Sequence, residues 1–185
     1  MIDELIADAE RRMTKSVEST RHEFNTVRTG RASAALLDRV NVDYYGQATP
    51  VKQLATLNVP EPRMLTVQPF DPSSLEAIEK AILESDLGLM PANDGKLIRL
   101  PIPSLTEERR KELVRVVRQL AEDGRVSIRN VRRDVISDLK DLARDGDIGD
   151  DDERRAEERV QKLTDGFVAT VDGVLKKKEE EILEV

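Results

Sequence analysis

All eight prolines of this 185-residue chain fall between Pro50 and Pro103. Proline removes a backbone donor and clashes with the preceding turn, so it breaks helix interiors. The stretches 1–49 and 104–185 are free to form long helices, and the stretch between them must be built from shorter pieces.

In the first flank, Ile2, Leu5, Ala9, Met13, Val17, Thr20, Phe24 and Val27 recur at steps of three and four, which places them on one helical face. Gly30, just past Val27, reads as the helix stop. The second flank opens on "SLTEERR", where Thr106 or Ser104 can cap a helix with acidic residues in its first turn. Its stripe runs Leu113, Val117, Leu120, Gly124, Ile128, Val131, Val135, Leu139, Leu142, which gives a rod about 54 Å long. Gly124 is either a cost to that helix or a point of close helix approach. After the turn "RDGDIGDDDE", Asp150 with Glu153 forms a cap signature. A third stripe follows at Ala156, Val160, Leu163, Phe167, Val171 and Val174. Three such helices bury their stripes against one another, as a three-helix bundle.

Between the flanks, "VNVDYY", "LATLNV" and "MLTVQPF" read as strands, with Tyr44 and Tyr45 packing to opposite faces. "DPSSLEAIEKAILESD" reads as one short helix, and "NDG" as a hairpin turn leading into "KLIRLPIP". The expected fold class is α+β. It is an elongated three-helix bundle (1–30 and 105–185) with a small α/β domain (31–104) inserted between its first and second helices. Two connections, near Thr29–Ser33 and Pro101–Leu105, make a two-strand hinge of Gly30, Arg31, Pro101, Pro103, Ser104 and Leu105, and a bent, L-shaped body is expected.

Charged residues make up 36% of the chain and aromatics 3%, which suits long solvated helices more than a thick core. There is no cysteine, hence no disulfide or thiolate chemistry. No apolar run reaches the roughly 18–20 residues that span a bilayer, and "MIDELIADAERRM" is too acidic for a signal peptide. A cytoplasmic protein without membrane partners is expected.

The net charge of -7 is unevenly spread. Residues 107–133 carry nine basic and five acidic side chains, whereas 134–185 carry nine and seventeen. At about 100° per residue, Lys111, Arg115, Arg118, Arg125, Arg129, Arg132 and Arg133 line the helix face opposite the apolar stripe, with Glu122 the one acidic interruption. The bland reading is a solvated face laced by intrahelical ion pairs. Two features favour phosphate binding instead: the row is nearly all arginine, whose planar fork suits phosphate, and acidic partners four residues away are few. An arginine ridge on an acidic body points to RNA docked by shape and backbone, without base readout. The competing class is a coiled-coil-like adaptor or chaperone that binds protein.

Catalytic chemistry finds no support. The single histidine, His22, stands alone beside the first helix's apolar face. "GLMPANDGK" lacks phosphate-loop spacing and has Leu97 where a magnesium-binding hydroxyl belongs. "DDDE" at 150–153 lacks calcium-site spacing. No catalytic residue, metal or cofactor is expected.

"VRTGRAS" (27–33), "VDYYG" (42–46), "SDLGL" (85–89), "LTEERRKEL" (105–113), "IRNVRRD" (128–134), "DDDERR" (150–155) and "VQKLTD" (160–165) together resemble the bacterial ribosome recycling factor family, in matching order over essentially the whole chain. The resemblance implies an L-shaped fold whose bundle lies on large-subunit ribosomal RNA. It also implies a monomer that, with elongation factor G and GTP hydrolysed by that partner, splits post-termination ribosomes and frees messenger and transfer RNA. "IRNVRRD" would then be the docking segment, with Arg132 and Arg129 foremost, Arg133 next, and Arg125 and Arg118 extending the row. Arg28 and Arg31, on either side of Gly30, are open to RNA contact or to hinge geometry.

Overall fold

The computed structural model describes residues 1–184. The chain divides into two units, one of Met1–Thr29 with the chain from Thr106 onward, the other of Gly30–Leu105. The fold is α+β, with a small α/β unit inserted between the first two long helices of a helical unit.

The helical unit consists of α1 (Ile2–Asn25), α4 (Glu107–Arg144) and α5 (Asp150–Leu183). α1 buries Ala9, Met13, Val17, Thr20 and Phe24, the face its periodicity marks. It ends before Gly30. The Thr26 hydroxyl donates to the Glu23 carbonyl at 2.6 Å, the Thr26 N–H donates to the same carbonyl at 3.1 Å, and the Val27 N–H donates to that of Phe24 at 3.1 Å. This tightened last turn closes the helix with no left-handed glycine. α4 starts where Thr106 Oγ1 accepts from the Arg109 N–H at 3.2 Å, so Thr106 and not Ser104 is the cap. It stops at Gly146, whose φ of +82° lets the Asp147 N–H reach the Leu142 carbonyl (2.9 Å) and its own N–H reach that of Ala143 (3.1 Å). Gly149, not Asp150, occupies the cap of α5; Asp150, Asp151, Asp152 and Glu153 lie in the first turn, where negative charge complements the helix dipole.

α4 buries Leu113, Val117, Ala121, Gly124, Ile128, Val131, Val135 and Leu139, while Leu120 and Leu142 are only half-buried. Wedged between two neighbours, the helix turns its stripe toward Ala121, where a small residue fits. At Gly124 a Cβ would lie 2.3 Å from Thr20 Oγ1, so the glycine marks a close approach of α1 and α4. One turn on, the hydroxyls of Ser16 and Ser127 hydrogen-bond across the same seam at 2.8 Å. On α5, Thr164 is buried and satisfies its hydroxyl on the Val160 carbonyl (2.7 Å), whereas Leu163 and Phe167 are half-buried.

The inserted unit holds β1 (Asn41–Tyr44), β2 (Gln47–Pro50), α2 (Val51–Leu54), β3 (Ala55–Glu61), β4 (Met64–Pro69), α3 (Leu75–Leu83), β5 (Ala92–Asn93) and β6 (Ile98–Pro101). β1 and β2 pair as a hairpin, and the other strands form an antiparallel sheet in the order β3-β4-β6-β5. Leu65, Val67, Ile98 and Leu100 meet Ile78 and Ile82 of α3, together with Leu37, Val42 and Val51, in one core. The strand expected from "LATLNV" begins only at Ala55, because the residues before it make the single turn α2. Tyr45 is not a strand residue facing away from Tyr44. It is the first of two left-handed turn positions, with φ of +50° followed by Gly46 at +81°.

Both ends of this unit are held by the β3–β4 hairpin. The Ala32 N–H donates to the Pro62 carbonyl and the Ile102 N–H to that of Arg63, each at 2.8 Å. Pro101 is the last residue of β6, opposite Met64, and so belongs to the sheet; Pro103 and Ser104 follow in an irregular segment. Gly30, at φ +76°, lies with its missing Cβ 3.1 Å from Leu105 Cγ.

Candidate nucleic-acid interface

The arginines of α4 do not form a single solvated row. Arg118, Arg125 and Arg132 recur every seven residues, and all three turn toward α5. Arg118 Nε donates to Glu179 at 2.7 Å, Arg125 Nε to Asp172 at 2.7 Å, and Arg132 NH1 to Gln161 Oε1 at 3.0 Å. Gln161 in turn donates to Asp165 at 2.8 Å. The acidic set Asp165, Asp172, Glu179 has the same seven-residue spacing and runs antiparallel to the arginines. This is the flanking charge pattern of a coiled-coil seam. Its signal was present in the sequence, since two heptad sets of opposite charge lie on helices joined by a tight turn. Inspection of α4 alone at four-residue steps could not show it.

The expectation that the row lies opposite the core with few acidic partners is therefore corrected for Arg118 and Arg125, which pair with carboxylates of α5. Arg125 has a side-chain exposure of 17% and bridges Asp172 at 2.7 Å and Glu122 at 3.1 Å. Burial works against its charge, but the two carboxylates outweigh that and raise its pKa. Glu122 is held below the usual carboxylate range by the Arg125 hydrogen bond and by Arg129.

Arg129 and Arg133 face away from the bundle. Arg129 is 44% exposed and fastened at one corner only, NH1 to Glu122 at 3.2 Å. Arg133 is exposed and has no ion pair among the described residues, and the same holds for Arg115 further along the helix. Arg132 meets only the neutral Gln161, so its charge is uncompensated at that contact. The result is a band of guanidinium groups of which Arg118 and Arg125 are paired with carboxylates of α5, while Arg129, Arg132 and Arg133 within two helical turns keep donors available for phosphate oxygens. Arg28 is exposed just beyond α1; Arg31 is also exposed and opens the inserted unit.

Other candidates resolve as structure. His22 is exposed on the last turn of α1. In "GLMPANDGK" the Asp94 carboxylate takes up the Lys96 and Leu97 N–H groups at 2.9 and 3.0 Å, so these donors are not free for a phosphate. Among the described residues no cluster of His, Asp or Glu could hold a metal ion, and no helix is long and apolar enough to cross a membrane.

The family model "Ribosome recycling factor" matches residues 20–183. The chain belongs to the ribosome recycling factor family. The ribosome-recycling factor of Rubrobacter xylanophilus is 58% identical over 97% of this chain and 97% of that protein. That of Halorhodospira halophila is 56% identical over the full length (100%) of both. A solution structure of a ribosome recycling factor matches 100% of this chain and 98% of that chain, with a TM-score of 0.71 at 42% identity. A second match, with a TM-score of 0.64 at 50% identity and 99% coverage of each chain, comes from models of the T. thermophilus ribosome recycling factor and the E. coli elongation factor G bound to the E. coli post-termination complex. The arginine band and the inserted unit thus sit in a chain whose relatives share its architecture from end to end.

Proposed function

We propose that this protein splits post-termination ribosomes into subunits together with elongation factor G and GTP, freeing messenger and transfer RNA for new rounds of translation. The observation that carries this reading is family membership over the whole length, including a relative placed with elongation factor G on a post-termination complex. The helical unit supplies affinity. Arg132, Arg129 and Arg133 bind ribosomal RNA phosphates of the large subunit, Arg118 and Arg28 add charge at the margins, and Arg125 holds the seam behind them. The protein acts as a cytoplasmic monomer without a cofactor and catalyses nothing itself; GTP hydrolysis belongs to its partner. The two chain crossings, at Thr29–Gly30 and Leu105–Thr106, are the hinge, with Arg31, Pro103 and Ser104 beside it and Pro101 anchoring the sheet side.

The test is a subunit-splitting assay with and without elongation factor G, joined to large-subunit binding across a salt series. Wild type splits ribosomes only with the partner and GTP. Arg129→Ala and Arg132→Ala weaken binding, and each lost phosphate contact flattens the slope of log K against log salt by about 0.7–0.9. Unchanged affinity in both variants would remove the ridge from the docking surface. GTP turnover by the isolated protein would refute the non-catalytic reading.

A further inference from the structure

The charge repeat along the α4–α5 seam is interrupted at one place. Arg118 faces Glu179 and Arg125 faces Asp172, each guanidinium meeting a carboxylate at 2.7 Å. Seven residues further on α4 and seven back on α5, the next facing pair is Arg132 and Asp165. That ion pair is not made among the described residues. Arg132 NH1 donates instead to Gln161 Oε1 at 3.0 Å, and Gln161 Nε2 donates to Asp165 Oδ1 at 2.8 Å.

Chemistry fixes which way this amide points. Gln161 and Asp165 lie one turn apart on α5 and are neighbours on its surface. A carboxylate only accepts, so it takes the amide NH2 group; a guanidinium only donates, so it takes the amide oxygen. Both contacts demand the same orientation. Asp165 thus holds Gln161, and Gln161 holds Arg132, in a chain whose charged ends never meet.

A neutral partner in place of a charged one decides what Arg132 can do. At Arg125 two carboxylates compensate the charge and the side chain is 17% exposed, so that group serves the seam. At Arg132 an amide oxygen secures one corner of the planar group and leaves its charge and its other N–H donors uncompensated. The half-buried side chain is also held in a defined pose, so less freedom is lost when it binds a phosphate.

We propose that Gln161 is a positioning residue. It takes up Asp165, the carboxylate that the register sets opposite Arg132, and holds Arg132 by a neutral hydrogen bond that keeps its charge for RNA phosphate. The proposal rests on the reading that Arg132 docks on large-subunit ribosomal RNA. It is tested with the full chain on purified large subunits, by measuring affinity across a salt series for wild type, Gln161→Glu, Arg132→Ala and the double variant. Gln161 is exposed, so Gln161→Glu leaves the core untouched and should keep the urea midpoint of wild type. It sets a carboxylate on Arg132. Affinity is expected to fall about fivefold, the most that an exposed ion pair withholds, and the slope of log K against log salt to flatten by about 0.7–0.9, one phosphate contact. In the Arg132→Ala background the same change should alter affinity less than about twofold and leave the slope alone. An equal loss in that background overturns the proposal, since Gln161 would then act on the ribosome directly or through charge alone. Wild-type affinity in Gln161→Glu overturns it as well. A second pair of variants adds no charge. Gln161→Ala releases Asp165 toward Arg132 and should weaken binding, and Gln161→Ala with Asp165→Ala should restore it; absence of recovery overturns the proposal. If Arg132→Ala binds as tightly as wild type, the docking reading of Arg132 falls and the proposal with it. Loss in Arg132→Ala with none in Gln161→Glu keeps that reading and removes Gln161 alone.

Discussion

Replacing Gly124 by alanine would place a Cβ 2.3 Å from Thr20 Oγ1 and 3.3 Å from Thr20 Cβ and Cγ2. In an isolated helix the same change gains about 1 kcal/mol, because glycine carries extra backbone entropy. Here the clash dominates. Thr20 is buried and its hydroxyl donates to the Ser16 carbonyl at 2.9 Å, so the side chain cannot swing away without breaking that bond. Gly124→Ala is expected to destabilise the protein by about 1–3 kcal/mol in urea unfolding, the range for overpacking a seam. Thr20→Ala in the same chain should recover much of the loss, and absence of recovery would place the strain elsewhere.

On the proposed docking reading, the elements concerned are α4 and α5, whose antiparallel charge sets divide the arginines by task. Arg125 lies between Glu122 and Asp172, so its loss removes two ion pairs and buried side-chain stem together. Arg125→Ala should reduce stability by roughly 1 kcal/mol, and a double-mutant cycle with Asp172→Ala should show coupling of about 0.5–1 kcal/mol, since the acid partners are half exposed. Arg133→Ala should do the opposite, leaving stability unchanged within about 0.5 kcal/mol while lowering large-subunit affinity. Measuring unfolding and binding on both variants checks the division. If Arg125→Ala loses binding and keeps its stability, the seam assignment is wrong and Arg125 belongs to the interface.

On the scale of the whole molecule, two units with separate cores are joined by two chain crossings. Gly30 stands at one of them with a left-handed backbone, and its Cβ position lies 3.1 Å from Leu105 Cγ, the residue at the other. An alanine there meets both a disfavoured φ and a tight neighbour, and the crossing must shift to admit it. The arginine band is remote from this change in sequence and in unit. If the proposed hinge lies here, Gly30→Ala is expected to keep large-subunit affinity within about twofold while slowing subunit splitting. Equal splitting rates for variant and wild type would remove the Gly30 backbone from the mechanism.

Much of this protein is determined locally and can be read without coordinates. Proline distribution separates helical flanks from a mixed middle because the ring forbids helix interiors wherever it occurs. The stripes through Met13, Ile128 and Val160 mark buried faces because a helix repeats every 3.6 residues regardless of its neighbours. The concentration of arginine on α4 is likewise plain in the sequence. What could not be read depends on which surface meets which. Thr26 and not Gly30 closes α1, since its hydroxyl and N–H found the Glu23 carbonyl in the last turn. Ala121 displaced Leu120 from the stripe because two neighbouring helices, not one, define the buried arc. Tyr45 left the strand for a turn position that its own propensity opposes, since the pairing of Tyr44 with Gln47 leaves only two residues to close the hairpin. Which arginines stay without a carboxylate partner was decided by the register of α5. Sequence determines how many guanidinium groups there are, but only the antiparallel pairing of Arg118 with Glu179 and Arg125 with Asp172 determines which of them already have a partner.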